Sequence, residues 1–432
     1  MMTCQSLNGC ARRRWPPGLA CFALFALLSL SGCSMLSLDK RSVYKFNHEF
    51  PVKDGVFSRS LSAFGNTMVG GNRAEILNNG DEYFPAMIQA IREARRTVNL
   101  ESYIYKNDRA GAMIAEALID AAQRGVEVRV LVDGTGSKFA GPLLVRMRRA
   151  GVQAEKFHPV RLWSIYKIAR RTHRKILVVD GTISFTGGFC IADAWLGNAR
   201  NPKEWRDLVV RVTGPVSAQM QAIFSEDWTY TTGEILAGDK FYPRIEPAGD
   251  VPAQAIKASR GDSSSLAAML YYMAIQSAEA SIHIQNAYFV PDKQIREALI
   301  QAARRGVDVR IMVPGRHIDE PLVRMASRLH YGELLKGGVR IFEYNRTMMH
   351  NKNAVIDGLF STVGSINFDR RSLRQNAEES LAFYDRDFAA RLEAVFAEDE
   401  SRCREITYES WKGRSIEQRF AEIFSGFFQP IY

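Results

Sequence analysis

Two histidine–lysine pairs carry the side chains best suited to chemistry. His173 and Lys175 lie two residues apart, and so do His350 and Lys352. Imidazole titrates near neutrality, so it can attack as a nucleophile or carry a proton as acid or base. An ammonium is a compact point charge that can hold an oxygen gaining negative charge. Each pair heads one pattern: H-x-K, four residues, Asp, six residues, then Gly-Gly or Gly-Ser. The first copy is His173, Lys175, Asp180, Gly187 and Gly188; the second is His350, Lys352, Asp357, Gly364 and Ser365. Asn367 follows the second copy at the place where the first has Cys190. The chain has seven His, and only these two head such a pattern, 177 residues apart. A lone His is more often structural, but a duplicated constellation points to a site built from two equivalent parts.

The elements that must present these side chains are β-hairpins. Lys175 to Val179 is an apolar, β-branched run, Asp180-Gly181 a two-residue turn, and Thr182 to Thr186 the return strand. A strand has a side-chain period of two, so His173 and Lys175 point to one face. Asp357-Gly358 supplies the same turn in the second copy. Gly187-Gly188 lacks side chains, which lets another group approach the backbone.

Around the first hairpin the chain alternates strand and helix. Ala74 to Leu77 and Thr97 to Tyr105 read as strands, and Phe84, Met87, Ile88 and Ile91 as one helical face. Gly111 to Arg124 is a second helix, and Val126 to Val132 a buried strand. Residues 121–134 recur at 302–315, and Ser281 to Val290 matches the strand at Thr97. The duplication therefore covers domains as well as motifs. The predicted fold is α/β: two similar domains, each a mixed, mostly parallel sheet flanked by helices, packed about a pseudo-two-fold axis. The predicted boundaries are 1–32 for a signal segment, 33–72 for a tether and lead-in, 73–245 for the first domain and 246–432 for the second. Residues 233–261, richer in Gly, Pro and Asp, read as the connection.

Apolar residues make up 46% of the 432 and charged residues 24%, ordinary for a globular protein. The net charge of +10 suits an anionic partner or is simply a solvated surface. Arg12-Arg13-Arg14 followed by the apolar Leu19 to Leu30 reads as a signal peptide. Its end, Leu30-Ser31-Gly32-Cys33, resembles the lipobox of bacterial lipoproteins. That resemblance implies a lipidated Cys33 and a periplasmic, lipid-anchored protein, and Ser34 in the next position favours the outer membrane. Beyond the signal and Cys33 only Cys190 and Cys403 remain, which is no disulfide framework and no zinc spacing.

The paired H-x-K-x4-D-x6-G-[GS] motifs resemble the phospholipase D superfamily. Arg171-Thr172-His173-Arg174-Lys175, Trp205-Arg206-Asp207, Asn367 to Ser372 and Asn376-Ala377-Glu378 narrow the likeness to bacterial cardiolipin synthases, over about residues 73–432. The resemblance implies transfer at a phosphodiester without metal or cofactor. His173 would be the nucleophile that forms a phosphohistidine, and His350 the acid and base, although the residues themselves do not break that symmetry. Lys175 and Lys352 would hold the phosphate oxygens, and Gly187, Gly188, Ser365 and Asn367 would line the phosphate. Asp180 and Asp357 are supporting catalytic residues or turn residues. Asp207 and Glu378 orient the imidazoles or are surface ion pairs. Cys190, where Asn367 has its counterpart, reads as a buried small residue.

The implied partner is an anionic phospholipid, phosphatidylglycerol by resemblance, at a membrane surface; no nucleic acid is expected. Arg161 to Arg170 interleaves aromatics with cations. Ile416, Phe420, Ile423, Phe424, Phe427 and Phe428 form an apolar helical stripe beside Arg414 and Arg419. Such a stripe touches a membrane or, more commonly, docks on the core. The favoured function is transfer of a phosphatidyl group between two phosphatidylglycerol molecules. A hydrolase using water, a nuclease of the same superfamily and a lipid-binding lipoprotein without activity are the alternatives. The acceptor alcohol and the oligomeric state stay open.

Overall fold

The computed structural model describes residues 44–46, 50–159, 171–258 and 266–426. The expected signal segment, Cys33, Ser34, the Arg161 to Arg170 stretch, Phe427 and Phe428 lie outside these residues.

Fifteen strands are found among the described residues. The first repeat contributes β1 (Val69–Asn78), β2 (Thr97–Ser102), β3 (Glu127–Asp133), β4 (Gln153–Phe157), β5 (Ile176–Val179), β6 (Ile183–Gly187) and β7 (Leu208–Thr213). The second contributes β8 (Val251–Ala258), β9 (Ser281–Asn286), β10 (Asp308–Pro314), β11 (Arg340–Tyr344), β12 (Lys352–Ile356), β13 (Phe360–Gly364), β14 (Glu378–Tyr384) and β15 (Cys403–Ile406). They form one sheet in the order β15-β11-β10-β9-β12-β13-β14-β8-β1-β7-β6-β5-β2-β3-β4. Apart from β15 the order is palindromic: each strand has its counterpart at the same distance from the β1–β8 junction. The duplication read from the sequence thus becomes two similar α/β halves joined edge to edge.

Within this mixed sheet, parallel pairing is confined to β2-β3-β4 and β9-β10-β11. Antiparallel pairs outnumber parallel ones, a correction to the mostly parallel sheet expected. Three residues join β5 to β6 and three join β12 to β13, which leaves no chain length for a crossover helix. Asp180 (φ 52°) and Gly181 (φ 70°) take the left-handed pair of a type I′ turn, as do Asp357 (φ 54°) and Gly358 (φ 57°).

The lead-in is more than a tether. Helix Gly55–Phe64 buries Phe57 and Leu61 among Ile256, Ala267 and Ile282 of the second half. The stretch expected as a connection contains β8, which pairs with both β1 and β14. A central apolar layer then spans the junction, with Val178, Val210 and Val212 packed with Ala253, Val355 and Leu381.

Candidate active site

Each hairpin delivers its His at the start of its first strand, and the two imidazoles line one cavity of about 460 Å³. The ends of the two hairpins are stitched to the opposite half through the backbone. The His173 amide donates to the Ala377 carbonyl at 2.8 Å, and the His350 amide donates to the Arg206 carbonyl at 2.7 Å. These bonds bring Glu378 and Asp207 beside the rings. His173 Nδ1 meets Glu378 Oε2 at 2.8 Å, and His350 Nδ1 meets Asp207 Oδ2 at 3.1 Å. Each imidazole is therefore oriented by a carboxylate from the other repeat. A ring whose Nδ1 is held by a carboxylate keeps its Nε2 as the reactive nitrogen. Both carboxylates are fully buried, so the surface ion pair considered for them is excluded.

Lys175 Nζ donates to the His173 carbonyl and Lys352 Nζ to the His350 carbonyl, each at 2.6 Å. Both lysines are buried, and neither is among the residues that line the cavity. Burial pushes His173 down to about 4, against the pull of Glu378. Burial, with Lys352 adding to it, pushes His350 down to about 4 despite Asp207. Both rings are thus neutral at neutral pH. Burial also lowers Lys352 to about 7, against the pull of Asp207.

The glycine positions differ in their work. A Cβ on Gly188 would lie 2.3 Å from Asp207 Oδ1 and 2.4 Å from the His350 carbonyl oxygen, so only glycine admits both. Gly187 is packed as closely on the Leu208 carbonyl. Ser365, the counterpart of Gly188, donates its hydroxyl to Glu378 Oε2 at 2.5 Å. Asn367 lines the cavity beside Cys190, and its Oδ1 has no partner among the described residues. Cys190 is a free thiol, buried at the cavity wall.

Asp180 and Asp357 do not join the site. Asp180 accepts from the amides of Arg95, Arg96 and Thr97 at 2.8–2.9 Å, and Asp357 from those of Glu279, Ala280 and Ser281 at 2.7–2.9 Å. They lock the hairpin turns to the starts of β2 and β9. This corrects their assignment as catalytic: the strand that begins at each motif His carries the Asp away from the cavity, to its far end.

Trp205 and Arg371 belong to the stretches that carry the family resemblance; Tyr103, Trp195, Tyr288, Asp319 and Glu320 also line the cavity and were not singled out by sequence. Tyr103 packs its ring edge-on to His173 at 4.9 Å, and Tyr288 lies 6.1 Å from His350. Trp195 and Trp205 pack on each other at 4.2 Å and lie 5.2 and 5.5 Å from His350, and Trp195 Nε1 donates to Asp207 Oδ2 at 2.8 Å. Asp319, Glu320 and Arg371 bring opposite charges to the lining. The two tyrosines follow equivalent strands, a repeat-level signal that could have found them. No group of three or more potential metal ligands occurs among the described residues.

A neutral imidazole with a free Nε2, a second imidazole across the same cavity and two buried ammoniums make a site for displacement at an anionic phosphorus. Comparisons with known proteins agree. The family model described as cardiolipin synthase, PLD-like domain, matches residues 87–228 and 271–400, one stretch in each half. A probable cardiolipin synthase of Bacillus subtilis is 35% identical over 376 residues, covering 86% of this chain and 75% of that protein. Cardiolipin synthase A of Pseudomonas syringae is 35% identical over 364 residues, covering 83% and 75%. The crystal structure of phosphatidylserine synthase from Haemophilus influenzae shares the fold, with a TM-score of 0.67 over 87% of this chain and 100% of that one at 14% identity. The chain therefore belongs to the cardiolipin synthase family of phospholipase D-like proteins.

Proposed function

We propose that this protein is a phosphatidyltransferase that makes cardiolipin and glycerol from two molecules of phosphatidylglycerol. The observation that carries this reading is the pair of imidazoles on one cavity, each oriented by a carboxylate of the opposite repeat. In the first step His173 Nε2 attacks phosphorus. The bond from phosphorus to the glycerol oxygen breaks, and that oxygen takes a proton from His350. The product is a phosphatidyl group on His173. In the second step His350 takes the proton from a hydroxyl of a second phosphatidylglycerol. The hydroxyl oxygen attacks phosphorus and His173 leaves.

Charge permits this order without choosing between the rings, since both imidazoles are lowered to about 4. His173 is neutral in the ligand-free site, as a nucleophile must be. His350 has to be protonated before it can act as acid, and an arriving phosphodiester anion beside it favours the imidazolium. Lys175 and the protonated form of Lys352 supply positive charge for the oxygens around phosphorus.

Incubation with phosphatidylglycerol followed by thin-layer chromatography and mass analysis tests the reading. Cardiolipin and free glycerol in equal amounts are expected. Phosphatidic acid as the main product would make water the acceptor and the protein a hydrolase.

A further inference from the structure

The C-terminal helix Ile416–Gly426 is turned inside out. Its buried residues are polar: Glu422 is 2% exposed and Ser425 0%. Its large apolar residues are exposed: Ile416 and Phe420 are each 69% exposed, Phe424 60% and Ile423 54%, beside the exposed Glu417, Gln418 and Arg419. The expected docking of this stripe on the core is therefore overturned. Two guanidiniums hold the polar edge inward. Arg328 Nε donates to Glu422 Oε1 at 3.2 Å, and Arg414 Nε donates to Glu422 Oε2 at 2.7 Å. Arg414 itself lies over the Trp411 ring at 3.7 Å. Folding by apolar burial alone would choose the opposite face. A buried carboxylate satisfied by two arginines fixes the helix in one orientation, with the apolar face outward.

That face is tied to the rim of the active cavity. The C-terminal helix packs on helix Pro321–Leu329, through Arg328. Glu320 and Val323, at the start of that helix, line the cavity. Nine helical residues span about 13 Å, so the apolar face lies roughly one short helix away from the rim. Two more large apolar side chains are exposed beside lining residues. Leu322 is 40% exposed next to Glu320 and Val323, and Phe139 is 67% exposed three residues beyond Gly136. Cations accompany them. Lys138 lies over the Phe139 ring at 4.8 Å, and Lys412 and Arg419 are exposed around the C-terminal helix.

We propose that Ile416, Phe420 and Ile423, with Leu322 and Phe139 at the rim, dock this protein on the surface of an anionic phospholipid bilayer. The inference rests on the lipid-substrate reading above. A cavity of about 460 Å³ with a largely charged and aromatic lining takes a head group and leaves two acyl chains outside. Those chains stay in the bilayer while the head group reacts, so some part of the rim has to lie on the membrane. An apolar helix face inserts about 5–10 Å below the head groups, and flanking cations meet the anionic lipid. Extraction of the head group into the cavity then needs only a short displacement of the lipid.

Hydrogen exchange read by mass spectrometry on the full chain tests this without relying on turnover. Vesicles of phosphatidylglycerol and phosphatidylethanolamine should slow exchange in the peptides covering 416–426, and phosphatidylcholine vesicles should slow it much less. The double variant Phe420→Ser/Ile423→Ser should lose at least tenfold in turnover on the anionic vesicles. It should stay within twofold of the parent on dispersed short-chain phosphatidylglycerol, and keep its melting temperature because both side chains are exposed. Unchanged exchange on vesicles, with equal vesicle turnover in the variant, overturns the proposal. Protection that appears without lipid and tracks a dimer mass assigns the face to a second copy and also overturns it. A protected helix in a parent protein that makes no cardiolipin would sink the transferase reading and keep the docking surface.

Discussion

His173 is held by Glu378 and His350 by Asp207, and the two carboxylates are themselves held by different groups. Glu378 takes the Ser365 hydroxyl, with the Asn376 side chain beyond it at 3.5 Å. Asp207 takes the Trp195 indole N–H and the Leu208 amide, over a space that Gly188 keeps clear. Gly188 and Ser365 occupy the same motif position, so one half clears room for a short carboxylate and the other offers a hydroxyl to a longer one. The rings also see different neighbours. His173 meets Tyr103, whereas His350 packs against the Trp195–Trp205 pair with Tyr288 nearby. A duplicated motif supplies two equal imidazoles. The inequality between the two rings comes from the last motif position, Gly188 against Ser365, and from residues outside the motif, and in each case the orienting carboxylate is donated by the opposite repeat.

The largest expected effects come from removing either ring. His173→Ala and His350→Ala should each cost at least about two orders of magnitude in turnover. A p-nitrophenyl phosphodiester separates them, because its leaving group hardly needs protonation. His350→Ala should keep part of the first burst and stall at the second step; His173→Ala should show no burst. The reverse pattern exchanges the two roles, and full activity in both removes the chemistry from the motif altogether.

Next come the carboxylates. Glu378→Gln and Asp207→Asn keep the shape but lose the charge that fixes each ring's tautomer, and each should cost about 10²-fold. With the activated diester, Glu378→Gln should slow the burst itself, while Asp207→Asn should spare the burst and slow later turnovers. Identical effects on both phases would mean the half-sites act as one unit.

A smaller, pH-dependent difference sits on Lys352. Burial lowers its ammonium to about 7. The charged form binds phosphate, so kcat/KM should fall, up to about tenfold per pH unit, as pH rises above about 7. The limb in kcat should lie higher, since a bound anion favours the ammonium. Lys352→Arg should remove the limb, because guanidinium stays charged. On the acid side both rings titrate near 4, from an ordinary 6.5. The unfolded chain takes up protons first, so stability should decline as pH falls from about 6.5 to about 4. A kcat/KM profile flat to pH 9 would contradict the lysine assignment.

The smallest effect on chemistry is expected at the turns. Asp180→Asn and Asp357→Asn each keep one accepting oxygen but turn a donor toward the remaining amide, that of Arg95 or Glu279, and should lower stability by about 1–3 kcal/mol. Turnover per folded molecule should stay within twofold at low temperature. A hundredfold loss with an unchanged melting temperature would return these residues to the catalytic set.

Much of this was legible in the chain itself. The period-two runs and Asp-Gly turns specified both hairpins, since turn chemistry and strand period are local properties. Spacing alone identified His173, Lys175, His350 and Lys352, and the two repeats announced two similar α/β halves. Tertiary structure decided the rest. Glu378 lies 205 residues from His173, and Asp207 lies 143 residues from His350, distances over which no local pattern carries information. The motif Asp residues looked equal to the His and Lys in sequence, yet strand length sends them to the opposite end of the hairpin. The C-terminal stripe has the pattern of a core-facing helix, but the face it buries was chosen by Arg328 and Arg414 gripping Glu422. Periodicity shows that a helix has two faces; what each face meets depends on charges brought from elsewhere in the fold.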